Sequence, residues 1–288
     1  MKTKVFKFRF LQLSLIFTTV MCLFFFSCQE DEIVPIDESF DYELIGIDHN
    51  KGLDYIFEYL KDEGVGAKTE LKSATDIFDL TKQATLSFAK TSTITNGVNY
   101  AKLPLTFQSF NQNTLKSAGI NELSSSIQSE VELTPLQISI LNELDQTMSN
   151  LKIGLEPTIK KIKNIELDIK SQCTEAESEL LLSCTSVARH SLEYWTSNFE
   201  KWMNELGGTT GIANDVPRLK SANAEDDWDW FYDTLVNMGK SDVVGAGIGA
   251  GVGALAGGVG AAPGAVAGAC YSSAGRGIVS LLDRWGIW

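Results

Sequence analysis

From Val243 to Gly275 the chain runs 33 residues without Asp, Glu, Lys, Arg or His; eleven are Gly and ten are Ala. Gly245, Gly249, Gly253 and Gly257 recur every four residues, and Gly260, Gly264 and Gly268 repeat that spacing. Steps of four align glycines along one helical ridge, where a second backbone can approach closely. In water each Gly costs about 1 kcal/mol of helix propensity relative to Ala. Helices this rich in glycine therefore need a partner that packs on them or excludes water. Pro263 divides the stretch. As helices, residues 243–259 rise about 25 Å and 263–282 about 30 Å, close to a hydrocarbon core of about 30 Å. The pattern predicts a helical hairpin turning at Gly260–Pro263, with Trp285 and Trp288 at its end, where interfacial tryptophans sit. Its expected role is membrane insertion or helix-mediated assembly, including self-association. A hairpin buried in the protein's own core and a poorly ordered tail are the alternatives. A dinucleotide loop is not expected, because no complete Gly-x-Gly-x-x-Gly follows a convincing strand.

The middle of the chain reads as helices of a different kind. Thr134-Pro135-Leu136-Gln137 is a capping box with proline at the first helical position. Leu141, Leu144, Met148 and Leu151 then step by three and four. Glu156-Pro157 restarts a second helix with Ile159, Ile162, Ile165 and Ile169 inward. Thr174-Glu175-Ala176-Glu177 opens the longest helix, whose apolar stripe runs Leu181, Cys184, Ala188, Leu192, Trp195, Phe199, Trp202 and Leu206. Such a stripe buries one face against partner helices, so three or more antiparallel helices in a bundle are expected. Gly207-Gly208 ends the run. Upstream, Phe40, Tyr42 and Leu44 alternate with acids like a short strand. A short helix then starts at Asp48 or Asn50, carries Leu53, Ile56, Phe57 and Leu60, and stops at Gly64. Residues 65–132 are rich in Ser, Thr and Asn, with helical patterning at 73–90 and 120–132.

The beginning of the chain concerns destination. Lys2, Lys4, Lys7 and Arg9 precede an apolar run from Leu11 to Phe26, and Phe26-Ser27-Cys28 closes it. A basic segment, an apolar segment and a small residue before the cut describe a secretory signal peptide. Sixteen residues interrupted by Gln12, Ser14, Thr18 and Thr19 are short for a retained span. The cysteine resembles the lipobox cysteine of bacterial lipoproteins, which implies acylation of Cys28 and a bilayer as partner. The acidic run Gln29-Glu30-Asp31-Glu32 resembles the signal that sends lipoproteins of the Bacteroidetes to the outer face of the outer membrane. The resemblance implies a lipid-anchored surface protein, with the periplasmic face as the alternative. His49-Asn50-Lys51-Gly52-Leu53-Asp54 resembles a segment of uncharacterised Bacteroidetes lipoproteins and implies no activity. The tail resembles glycine-zipper segments, including those of pore-forming bacteriocins.

Charge narrows the partners. Residues 1–27 hold four basic residues and no acid, so their removal leaves 20 Lys and Arg against 37 Asp and Glu, a formal charge of −17. An acidic surface repels phosphate backbones, and no nucleic acid is expected as a partner. Broad docking on anionic lipid is disfavoured too, which leaves attachment to acyl chains or apolar inserts. Cys173, Cys184 and Cys270 remain once Cys22 and Cys28 are accounted for, and they read as unpaired thiols. His49 reads as a capping or loop residue and His190 as a surface or satisfied structural residue off the main stripe. There is no His-Glu-x-x-His, Cys-x-x-Cys or Gly-x-Ser-x-Gly, so no metal, cofactor or catalytic residue is expected.

Together these observations predict a mainly α protein: a helical bundle with a C-terminal Gly/Ala-rich helical hairpin. Its parts are a signal peptide (1–27), an acidic tether (28–39), a mixed helix and loop region (40–132), a bundle (133–207), a linker (208–226), and an acidic aromatic helix plus hairpin (227–288). The expected function is that of a non-enzymatic, lipid-anchored envelope protein whose sites are Cys28 and the seven-glycine ridge. A pore-forming effector carried by the tail is the alternative. A surface hydrolase with an unidentified carboxylate site is a weaker one, favoured if the fold clusters His and acid groups in one cleft.

Overall fold

The computed structural model describes residues 40–65, 74–92, 94, 102, 103, 107, 122–206, 224–255 and 259–284. The described residues from Tyr42 onward make one compact unit. They hold eight helices, α1 (Glu43–Asp62), α2 (Ala74–Ala89), α3 (Leu123–Gln128), α4 (Pro135–Ser149), α5 (Leu155–Gln172), α6 (Glu175–Leu206), α7 (Ala224–Leu255) and α8 (Ala261–Arg284). No strand occurs among the described residues. The fold is a helical bundle. Signal peptide, Cys28 and tether, most of 93–121, residues 207–223 and the closing tryptophans lie outside the described residues.

α4, α5 and α6 form because their caps and stripes agree. Thr134 and Gln137 exchange the two hydrogen bonds of the capping box, Gln137 N to Thr134 Oγ1 at 3.3 Å and Thr134 N to Gln137 Oε1 at 3.0 Å. Gly154, at φ +118°, lets the chain reverse into α5. Thr174 and Glu177 repeat the box at the start of α6. The two caps are joined: Gln137 Nε2 donates to the Glu177 carbonyl at 3.2 Å, and Thr134 Oγ1 donates to Glu177 Oε1 at 3.0 Å. The starts of α4 and α6 therefore lie side by side, with α5 running back between them in the chain. All eight residues of the α6 stripe are buried, and Trp202 lies between Phe57 and Trp195 in tilted contacts with centroids 5.2 and 5.0 Å apart.

α6 and the α7–α8 hairpin form the centre of the unit. α1 packs on α6 and α8, α2 on α1 and α8, α5 on α6, and α3 and α4 on α7. Every residue from Met238 to Ala250 and from Gly264 to Ile278 is buried. The arms of the hairpin are enclosed over these spans, while its turn end opens to the surface at Ala254, Leu255 and Gly260. Of the alternatives for the tail, this is the hairpin within the protein's own core.

Two expectations need correction. The strand-like stretch at 40–44 and the helix start at Asp48 or Asn50 give way to one helix beginning at Glu43, with Tyr42 at its N-cap. Three alternating apolar residues are too few to compete with a three-and-four stripe that continues upstream through Ile45 and His49, both buried. The aromatic helix expected at 226–232 is continuous with the first arm of the hairpin. Only Gly239 interrupts the propensity between them, and it sits against Met148 and Leu192. Cys173 is the C-cap of α5. It is partly exposed, whereas Cys184 and Cys270 are buried, and all three are unpaired.

Candidate functional site

The glycine ridge closes on itself. A Cβ built on Gly245 would strike the Gly268 carbonyl, one on Gly249 the Gly264 carbonyl, and one on Gly253 the Gly260 carbonyl. Gly264 and Gly268 face the Gly249 and Gly245 carbonyls in return. The contact steps down one helix by four residues as it climbs the other by four, so α7 and α8 meet backbone to backbone. Gly260, at φ +84°, makes the turn, and its N–H reaches the Gly253 carbonyl at 3.1 Å. Six of the seven predicted ridge residues are thus brought together; Gly257 lies outside the described residues. A second row on α7 faces other helices, Gly247 against Ile127 and Cys184, Gly251 against Val131. With both rows enclosed, neither is presented to another chain in this packing.

Next to the ridge, four helices contribute polar groups to one buried junction. Asp242 of α7 accepts from Ser191 Oγ of α6 at 2.5 Å and from Trp195 Nε1 at 3.2 Å. Trp195 Nε1 also donates to Ser273 Oγ of α8 at 3.0 Å. His49 Nε2 of α1 stands 3.5 Å from Asp242 Oδ2, and both side chains are wholly buried. Cys270 of α8 points its Sγ at the His49 carbonyl. Burial pushes the Asp242 carboxyl up to about 8 and the His49 imidazole down to about 3. Both groups are therefore uncharged near neutral pH, despite a spacing that would suit an ion pair. An imidazole whose Nδ1–H is donated to Asn50 Oδ1, 3.0 Å away, turns the Nε2 lone pair toward Asp242. A protonated carboxyl can supply the missing hydrogen there. His49 Nε2 and Asp242 Oδ1 each have no hydrogen-bond partner, the Asp242 atom nearest His49 being Oδ2.

A second junction lies nearer the surface. Arg189 donates Nε to Glu166 Oε1 at 2.8 Å and Nη2 to Glu43 Oε2 at 2.5 Å, while His190 Nε2 is 2.9 Å from Glu43 Oε1. The Arg189 hydrogen bond, first among several effects, holds the Glu43 carboxyl at about 2. This cluster ties the start of α1 to α5 and α6. The ring of His190 fills the space beside Gly46, whose N–H donates to Ser186 Oγ.

Histidine and acid groups therefore come together twice, but not in one cleft: His49 with Asp242 in the interior, His190 with Glu43 at the periphery. His49, which by sequence reads as a capping or loop residue, is wholly buried, and no sequence motif marks Asp242. The available signal was the position of His49 on the stripe shared by Ile45, Leu53 and Ile56. Elsewhere a cavity of about 340 Å³ is lined by Leu151, Leu155, Glu200, Phe231, Tyr232 and Leu235 among others. Among the described residues no group of three His, Cys, Asp or Glu could hold a metal ion. No helix among them is long and apolar enough to cross a membrane.

Residues 217–282 match the profile of a family of unknown function (DUF6861). That span takes in α7, nearly all of α8, the glycine ridge, Asp242, Cys270 and Ser273. No curated protein and no solved structure matches the chain. The similarity to a family thus falls on the glycine hairpin and on its half of the buried junction.

Proposed function

We propose that the protein is a lipid-anchored, non-enzymatic component of the cell envelope, whose glycine hairpin serves helix assembly inside its own bundle. The observation that carries the assembly role is the ridge itself. Gly245, Gly249 and Gly253 spend their close-approach surface on Gly268, Gly264 and Gly260 of the same chain. Self-association through that ridge requires the bundle to open first. The anchoring rests on the signal peptide, the lipobox-like Cys28 and the acidic run behind it. In this reading Cys28 carries the acyl chains, Glu30, Asp31 and Glu32 direct the protein to the cell surface, and the bundle is the displayed module.

Two experiments separate these parts. Cys28→Ala has no thiol for a thioether, so metabolic palmitate label should vanish from the protein; equal label in wild type and variant removes the anchor. Sedimentation of the acyl-free mature chain should give a monomer. A dimer abolished by Gly249→Ala with unchanged stability would instead put the ridge between chains.

A further inference from the structure

We propose that the outward face of α5 is a docking surface for an anionic phospholipid bilayer, which sets how the tethered bundle lies on its membrane. The buried side of α5 is Thr158, Ile162, Ile165 and Ile169. Opposite them, at helical steps of three, four and three, stand Lys160, Lys163, Leu167 and Lys170. Leu167 is 65 % exposed, at the crest of the helix, with the lysines around it. All three lysines are exposed, and none lies within ion-pair distance of a carboxylate. Glu156 shares the face at the first turn; Lys161 and Asp168 flank it.

Two comparisons single this face out. Elsewhere Lys51, Lys61, Lys152, Arg189, Lys201 and Lys240 are each matched by an acid within 4.0 Å, Lys82 lies over the Phe107 ring, and the unmatched Lys90 stands singly rather than in a row. The mature chain is strongly acidic, so a cluster of unmatched lysines is a local reversal of its field, and an anionic surface would attract this side while repelling the others. Position is the second argument, and it is given by an ion pair: Arg189 joins Glu43, at the start of α1, to Glu166 on α5. Glu166 lies three residues after Lys163 and four before Lys170 on α5. The first turn of α1 therefore adjoins the helix that carries the lysine face. Lysine stems lie along an apolar surface with their ammonium groups in the headgroups, and Leu167 enters between them. The inference deepens the proposed anchoring, but it concerns the bundle's surface and not its acyl chain.

The test uses the mature chain from residue 28 carrying Cys28→Ala, so that no acyl chain contributes. It is sedimented with vesicles of phosphatidylcholine alone or mixed equally with phosphatidylglycerol. Binding should appear only on the mixed vesicles and fade as salt rises, because exposed charges are screened over about 10 Å at 0.1 M. Each lysine near an anionic surface strengthens binding about fivefold, so K160E/K163E/K170E should weaken it at least on the order of 100-fold. K51E/K61E/K90E changes net charge equally and should retain most of the binding. Unchanged thermal melting of the first triple excludes unfolding as the cause. No binding by the unsubstituted chain at low salt, or equal losses in both triples, overturns the proposal. Failure of Cys28 to take up palmitate would remove the anchor and leave the vesicle result standing.

Discussion

The two long helices at the centre, α6 and α7, are buried by opposite means. α6 presents Trp195, Phe199, Trp202 and a row of leucines, and its neighbours pack mainly against those side chains. α7 presents glycine, and α8 lies against its backbone. Large side chains supply apolar area, about 25 cal/mol per Å² removed from water, and tolerate imperfect neighbours by changing rotamer. A glycine contact supplies little area from its own side chain and has no rotamer to change. Its stability comes from dense packing of two backbones, and this offsets the helix propensity that glycine forfeits. The first kind of interface should degrade gradually under mutation, and the second abruptly.

The largest effect should follow from filling the ridge. Gly249→Leu puts a branched side chain where the Gly264 carbonyl already sits, and no rotamer relieves a backbone clash. The bundle should lose more than about 5 kcal/mol, the range reserved for the most disruptive substitutions. Chemical denaturation would read this directly. A Leu variant that melted within a few degrees of wild type would refute the backbone contact. On α6, Trp202→Ala or Trp195→Ala deletes a buried ring and should cost about 3–5 kcal/mol. Trp195→Ala removes a donor shared by Asp242 and Ser273, whereas Trp202→Ala removes one from Tyr194 alone, so Trp195 should be the costlier in a matched urea series.

The buried junction sharpens the comparison through pH. Asp242 holds its proton to about 8 when folded, against 3.8 as its ordinary value. It therefore favours the folded state at low pH, and that contribution is lost as pH rises through about 8. His49 titrates at about 3 when folded, against 6.5. Its contribution is full above 6.5 and is lost as pH falls through about 3. Between roughly 4 and 6.5 the two slopes oppose each other and stability should be nearly level. From 6.5 to 8 only Asp242 acts, so stability should fall by about 2 kcal/mol at about 1.4 per pH unit. Asp242→Asn should abolish that alkaline decline and uncover an acid decline beginning near 6.5. Urea midpoints across pH 4–9 test both; a wild-type curve flat from 6.5 to 8 would mean that Asp242 is already ionised in the core.

The smallest effect belongs to the periphery. His190→Ala leaves Glu43 held by Arg189 and should cost about 1 kcal/mol, near the ordinary mutational average. A loss as large as that of Trp202→Ala would reverse the assignment of faces on α6.

Much of the architecture was legible because it is written in local spacing. The stripe from Leu181 to Leu206 and the capping boxes at Thr134 and Thr174 depend on neighbours three and four residues away, and each appears where that spacing puts it. The start of α1 was not legible, because the reason Glu43 is helical lies 146 residues away in Arg189. His49 was misread for a related cause: a polar residue on an apolar stripe reads as an interruption until its partners on two other helices, Asp242 and Cys270, are known.

By itself the sequence determined that the tail would form two helices meeting along a glycine ridge, since glycine every fourth residue permits close backbone approach in almost any setting. Which surface meets that ridge was decided only by the tertiary structure. The choice between lipid, another chain and the protein's own helix depends on what else covers Gly247, Gly251 and Asp242. The chain closes that choice by placing Ile127, Val131, Ser191 and His49 around them, from helices whose relative positions no local pattern specifies.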